Sequence, residues 1–129
     1  MKGKPNPYNI TQAIQNPDDH QPSANTAAVV TLAADSEQCH VITSITFGYN
    51  ATPTSGSVVV TAGGTTIFSV PVAAAGAGQL HFPYGLHNDA ALNEAVVVTL
   101  AAAGASVTGR INTTSCLVLH PVTCKRRAA

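Results

Sequence analysis

The side chains that could do chemistry in this chain are few and scattered. Cys39 with His40, and the run Cys116, His120, Cys124, supply the thiolate and imidazole donors that zinc takes. Zinc knuckles pair their ligands two to four residues apart, however, and no C-x-x-C pair occurs here. The three cysteines are therefore expected to be buried or idle thiols, and no metal is expected. Asp18-Asp19-His20 has the residue types for acid–base work but falls in a proline-rich stretch, where no rigid element is expected to hold it. Asp35 and Glu37 flank a turn and read as solubilising residues. There is no G-x-S-x-G elbow, no phosphate-cradling glycine loop and no H-E-x-x-H motif. His81, beside Phe82 in a strand pattern, reads as an outward or subunit-interface histidine. The expectation is a protein that is not an enzyme, with no cofactor and no small-molecule substrate. The loop PYGLHND (83–89) is a candidate binding loop through Tyr84, His87, Asn88 and Asp89.

The elements that would position these residues are strands. Residues 27–32 and 39–50 read as the first two; in the second, Val41, Ile45, Phe47 and Tyr49 share one parity, and His40, Ser44, Thr46 and Gly48 the other. Ile42 and Thr43 break that alternation. In SVVVTAGGTTIFSV (57–70) two β-branched runs flank Gly63-Gly64, and a two-residue hairpin turn needs the positive φ that glycine adopts freely. Pairing across that turn predicts Val60 opposite Ile67, with Val59 opposite Phe68 and Thr61 opposite Thr66 on the other face. Apolar side chains then lie on both faces, which makes Val59 and Phe68 candidate subunit-interface residues alongside His81. Residues 78–84 read as a strand with Leu80, Phe82 and Tyr84 inward. Residues 94–102 and 106–114 supply two more. An Ala-rich helix over 90–103 competes with the first of these, but three consecutive valines and a threonine fit a pleated surface better. VVTLAA and AAAGA each occur twice at unequal spacings, so no repeat architecture follows. Seven or eight short strands predict a single all-β domain, a jelly-roll-like β-sandwich.

Composition fits a covered surface. The chain is 45% hydrophobic and 9% charged, against about 25% charged in typical soluble domains. Lys2 and Lys4 open the chain and Lys125, Arg126 and Arg127 close it; Arg110 and all six acids lie between, so that interior carries 1 − 6 = −5. A basic face with reading aromatics is missing, which argues against nucleic acid. No apolar run follows Lys2 and Lys4, and no uninterrupted apolar stretch is long enough to span a bilayer, so neither a secretory leader nor a membrane partner is expected. Synthesis in a reducing cytoplasm is the default, and the N-x-[ST] triplets at Asn9, Asn50 and Asn112 are read as chance. Residues 1–26 hold four of eight prolines and read as an extended N-terminal arm, with Pro5, Pro7, Tyr8 and Ile10 as candidate contacts to a neighbour. Residues 27–114 form the expected body and 115–129 a short C-terminal tail.

The body resembles a family of small jelly-roll virion proteins of tailed bacteriophages, the capsid decoration or cement type. The resemblance rests on VVTLAA (29–34), HVITSITFGYNATPTSG (40–56), GGTTIFSV (63–70), AAGAGQLHFPYGL (74–86) and AVVVTLAAAGASVTGRIN (95–112). It covers about two thirds of the chain and leaves out the arm and the cysteine-bearing tail. It implies a homotrimer on the capsid surface of a phage head, made in the host cytoplasm, with the major capsid protein as partner. The alternative is a tail or head-fibre appendage that binds a host glycan or receptor.

Overall fold

The computed structural model describes residues 15–35, 38–87 and 94–118, and their regular structure is entirely β. Eight strands follow in order: β1 (Asn16–His20), β2 (Ala28–Leu32), β3 (Cys39–Tyr49), β4 (Gly56–Ala62), β5 (Thr65–Val72), β6 (Gly76–Leu86), β7 (Val96–Leu100) and β8 (Gly109–Val118). They form two four-stranded sheets, β1-β8-β3-β6 (sheet A) and β2-β7-β4-β5 (sheet B). The antiparallel pairs include β1 with β8, β2 with β7, β3 with β6 and β4 with β5. That nesting is a long hairpin rolled over on itself, and it makes the domain a jelly roll.

Alternation drives the two sheets together. In β4 the buried positions are Gly56, Val58, Val60 and Ala62, and in β7 they are Val96, Val98 and Leu100. Opposite them sheet A contributes Ile42, Ile45, Tyr49 and Ile111 to the same core. Each such aliphatic side chain contributes about 1.5–3 kcal/mol by leaving water. The β4–β5 turn is formed by Gly63 (φ 59°) and Gly64 (φ 85°), both positive, as a turn matched to the twist of the strands requires. Val96, Val97 and Val98 lie in a strand, so the helical alternative is not realised.

The differences from the sequence reading have local causes. Asn16–His20, expected in the arm, form an edge strand on β8, so Asp18, Asp19 and His20 stand on a rigid element after all. The edge tolerates Pro17, because a proline costs a ladder hydrogen bond only where its N–H would be needed. At the other end β8 runs to Val118 rather than stopping at 114. In the hairpin, Thr61 does face Thr66, but an irregularity follows and Val60 faces Phe68, Val59 faces Ser69. The extra residue, Ile67, moves Phe68 from the outer face to the core side, because a one-residue slip flips every later side chain. There its ring meets Phe82 edge-on, centroids 5.2 Å apart.

Thr43 plays the same part in β3. It is the extra residue between Ile42 and Ser44, so Ile42 takes the core position and Val41 falls on the opposite face. Val41, Cys116 and Val118 form a second, separate buried cluster there. Across from Thr43, β6 departs from the ladder: His81 pairs with Ser44 but the next partner, of Ile42, is Leu86. Pro83 lacks an N–H for that ladder, and Gly85 takes a φ of 82°. Leu80 and Phe82 pack on the core as expected, but Tyr84 sits on the protruding segment and is 93% exposed rather than inward.

Candidate functional site

The residues nominated as a subunit interface do not share a face. Val59 is on the outer face of sheet B, Phe68 on its core side, and His81 on the outer face of sheet A. Of the nominated loop, Tyr84 is exposed within β6 and His87 follows that strand half-buried; Asn88 and Asp89 lie outside the described residues. The arm contacts Pro5, Pro7, Tyr8 and Ile10 also lie outside them.

The register brings together two surfaces of different chemistry. On the outer face of sheet B, Val29, Thr99, Val59 and Ser69 form one row across the four strands, and Thr31, Val97, Thr61 and Thr66 the next. Neither row holds a charge. Antiparallel sheets often leave one face to water, and such faces are ordinarily polar. Here three valines stand among short, stiff side chains, so covering the face costs little rotamer freedom, while each hydroxyl needs a hydrogen-bond partner in the contact.

Beyond the Val41–Cys116–Val118 cluster at one end, the outer face of sheet A is polar. One row reads Asp19, Asn112, Thr46, Gln79; the next reads Pro17, Thr114, Ser44, His81. A third begins with Arg110, Gly48 and Ala77, and there the face drops into a surface groove of about 460 Å³. Gln21, Asn50, Gly76 and Thr108 also line it. Arg110 is pinned from two sides: Nη2 donates to Asp19 Oδ2 in an ion pair, and Nη1 donates to Gln21 Oε1 at 3.3 Å. Asn50 Oδ1 accepts from the Thr108 N–H at 2.8 Å, while the Asn50 N–H donates to the Thr108 carbonyl at 3.0 Å. The groove therefore has a fixed polar wall and a floor of residues with little or no side chain. Its residues come from the ends of β1, β3 and β8 and the start of β6. The composition of the strands carried a signal for this face, since Ser44, Thr46 and Gly48 share one parity. Arg110, Asn112 and Gln79 became visible only once pairing set them beside those positions.

Three buried groups complete the picture. The Tyr49 hydroxyl donates to the Ala101 carbonyl at 2.7 Å, which ties sheet A to the strand end of sheet B. Burial raises its pKa, opposed by a backbone hydrogen bond from Ser57. Cys116 is a free thiol whose pKa burial also raises, with the Gln15 side chain opposing. Cys39 is disulfide-bonded, which corrects the expectation of three idle thiols. In the ladder it lies opposite Val118, the last residue of β8. Among the described residues, no three His, Cys, Asp or Glu side chains stand close enough to hold a metal ion.

No protein-family model and no curated protein sequence matches the chain. Solved structures do. The CBM36-1 domain of a multidomain xylanase from the hindgut metagenome of Trinervitermes trinervoides is 11% identical, with 78% of this chain and 95% of that one covered and a TM-score of 0.44. A carbohydrate-binding module CBM36, in complex with calcium and xylotriose, is 9% identical over 68% of this chain and 70% of that one, TM-score 0.42. The tobacco streak virus coat protein is 11% identical over 79% and 85%, TM-score 0.36. At such identities the likeness is one of β-sandwich fold. The nesting of the eight strands carries the jelly-roll assignment by itself.

Proposed function

We propose that this chain is a structural virion protein, a capsid decoration protein that binds a phage head as a homotrimer. The observation that supports this best is the charge-free outer face of sheet B, with Val29, Val59 and Val97 on adjacent rows. A ring of three is built from a heterologous contact, which needs two different patches on each copy. The second patch is the open side of the sandwich at β5 and β6, where Ile67, Val70, Val72, Leu80 and Phe82 are only partly buried. The outer face of sheet B measures roughly 19 by 20 Å from the strand spacing and rise, a projected area of about 400 Å². Stable interfaces bury about 800 Å² per partner, so this face supplies part of the contact and the C-terminal segment is assigned the rest. Anchorage to the shell by the N-terminal arm multiplies through the three copies of a trimer.

The experiment is size-exclusion chromatography with light scattering on the full chain, followed by titration onto undecorated heads. A trimer at micromolar concentration that saturates the heads in many copies supports the reading. A stable monomer, or a trimer that ignores heads and is found at the tail tip in a few copies, overturns it. Because β1 begins at Asn16, the arm is tested by removing residues 2–14, which spares every strand. That truncation should remain trimeric and lose at least about tenfold in affinity for heads, roughly 1.4 kcal/mol.

A further inference from the structure

We propose that the outer face of sheet A, with its groove, is a binding site for a neutral oligosaccharide. The inference goes beyond the architectural role and is independent of it, since it concerns the opposite sheet. The face presents planar amides and hydroxyls in fixed rows: Asn112 between Asp19 and Thr46, and Gln79 beyond Thr46. Amides and a guanidinium reach pairs of neighbouring hydroxyls on a sugar ring with two hydrogen bonds at once. Strand pairing fixes the spacing of their backbones, and contacts to Asp19 and Gln21 hold Arg110, which lowers the ordering needed when a ligand arrives.

The charge balance selects the ligand class. Arg110 is the one cation of the three rows among the described residues, and Asp19 neutralises it at contact distance. An anionic ligand would have to compete with that carboxylate. A nucleic acid would find no basic field on these rows, and the one exposed aromatic ring along them is the His81 imidazole. A peptide adding as a strand would need a long straight free edge, but β6 leaves its ladder between His81 and Leu86 and the other edge, β1, spans five residues with Pro17 among them. A neutral, hydroxyl-rich chain meets none of these obstacles. The groove also leaves room for a ring: Gly48, Gly76 and Ala77 project little into it, and Arg110 and Gln21 form its wall. Without a broad aromatic platform the affinity per site is low.

The test titrates ¹⁵N-labelled full chain with maltohexaose, cellohexaose and mannohexaose, and with oligogalacturonate as the acidic probe. At least one neutral hexasaccharide should shift the amides of Thr46, Gln79, Arg110 and Asn112. Asn112→Ala and Gln79→Ala, both at solvent-facing positions, should each weaken that binding about fivefold with the circular dichroism spectrum unchanged. Tyr84→Ala should leave it unchanged. The proposal is overturned if no neutral hexasaccharide moves these amides, if oligogalacturonate binds more tightly, or if the shifts centre on Tyr84 and His87 instead.

Discussion

Replacing Thr113 with valine should make this protein more stable. Thr113 is 2% exposed, on β8 opposite the fully buried Ile45, and its Oγ1 has no hydrogen-bond partner among the described residues. A buried hydroxyl without a partner costs about 1–3 kcal/mol. Valine has the same branched shape and puts a methyl where that hydroxyl was, so no cavity opens. The gain should be about 1–2 kcal/mol, or roughly 4–8 °C in melting temperature for a chain of this size. Urea unfolding at fixed protein concentration measures it, since any assembly of copies would make apparent stability depend on concentration. Thr46→Val is the control: Thr46 sits half-exposed on the outer face beside Asn112, and the same change there should shift stability by less than about 0.5 kcal/mol. If Thr113→Val were neutral or destabilising, the hydroxyl would have a partner in solution and the reasoning would fail.

Further outcomes follow from other sites. On the proposed trimer, Val59→Asp should leave the sheet content intact in circular dichroism yet yield monomer in light scattering, because a carboxylate buried between copies would have no partner. Tyr49→Phe removes the donor to the Ala101 carbonyl and should cost about 1–3 kcal/mol in urea unfolding. Stability of the wild type should fall on the alkaline side. Burial raises the Tyr49 phenol above 10.0 and the Cys116 thiol above 9.0. The fold then keeps protons that the unfolded chain releases, so stability is full below about pH 9 and declines as pH climbs further. Tyr49→Phe should reduce that decline. Gly78→Val should lower the melting temperature, since even a Cβ there would lie 2.5 Å from Phe47 Cζ and overpacking of this kind costs about 1–3 kcal/mol.

Much of the fold was legible because strand burial has period two. The buried sets of β4 and β7 can be read from GSVVVTA and VVVTL directly. The failures cluster where one residue is added or the ladder breaks. Ile67 and Thr43 each shift parity, and nothing in a β-branched run marks which residue is the extra one. The strand β1 was missed for another reason: NPDDH has no apolar alternation, since all five residues are exposed. It exists because β8 offers a free edge. The candidate site followed the same rule. Its polar residues were ordinary one by one, and their meaning came from partners far apart in the chain, as with Asp19 and Arg110.

The two faces also explain how a chain with so few charges can serve two surfaces at once. Stacked sheets lie about 10 Å apart, so a partner on the outer face of sheet B, or against the open side at β5 and β6, leaves the outer face of sheet A uncovered. The sequence divides its chemistry along that line. Strands of sheet B present valine, threonine and serine outward, side chains with few rotamers whose hydroxyls need partners when covered. Strands of sheet A present amides, a histidine and one ion pair, groups that lose hydration if merely covered and regain it only against matched hydrogen-bonding partners. That ion pair is half-exposed, so it contributes at most about 1 kcal/mol to folding. Its service is geometric: with Gln21 it holds Arg110 against the edge strand β1. β1 thus sets the wall of the groove while its N-terminal end carries the arm. Copies joined through sheet B would still leave sheet A open outward, which is the arrangement a particle needs to present a second surface to its surroundings.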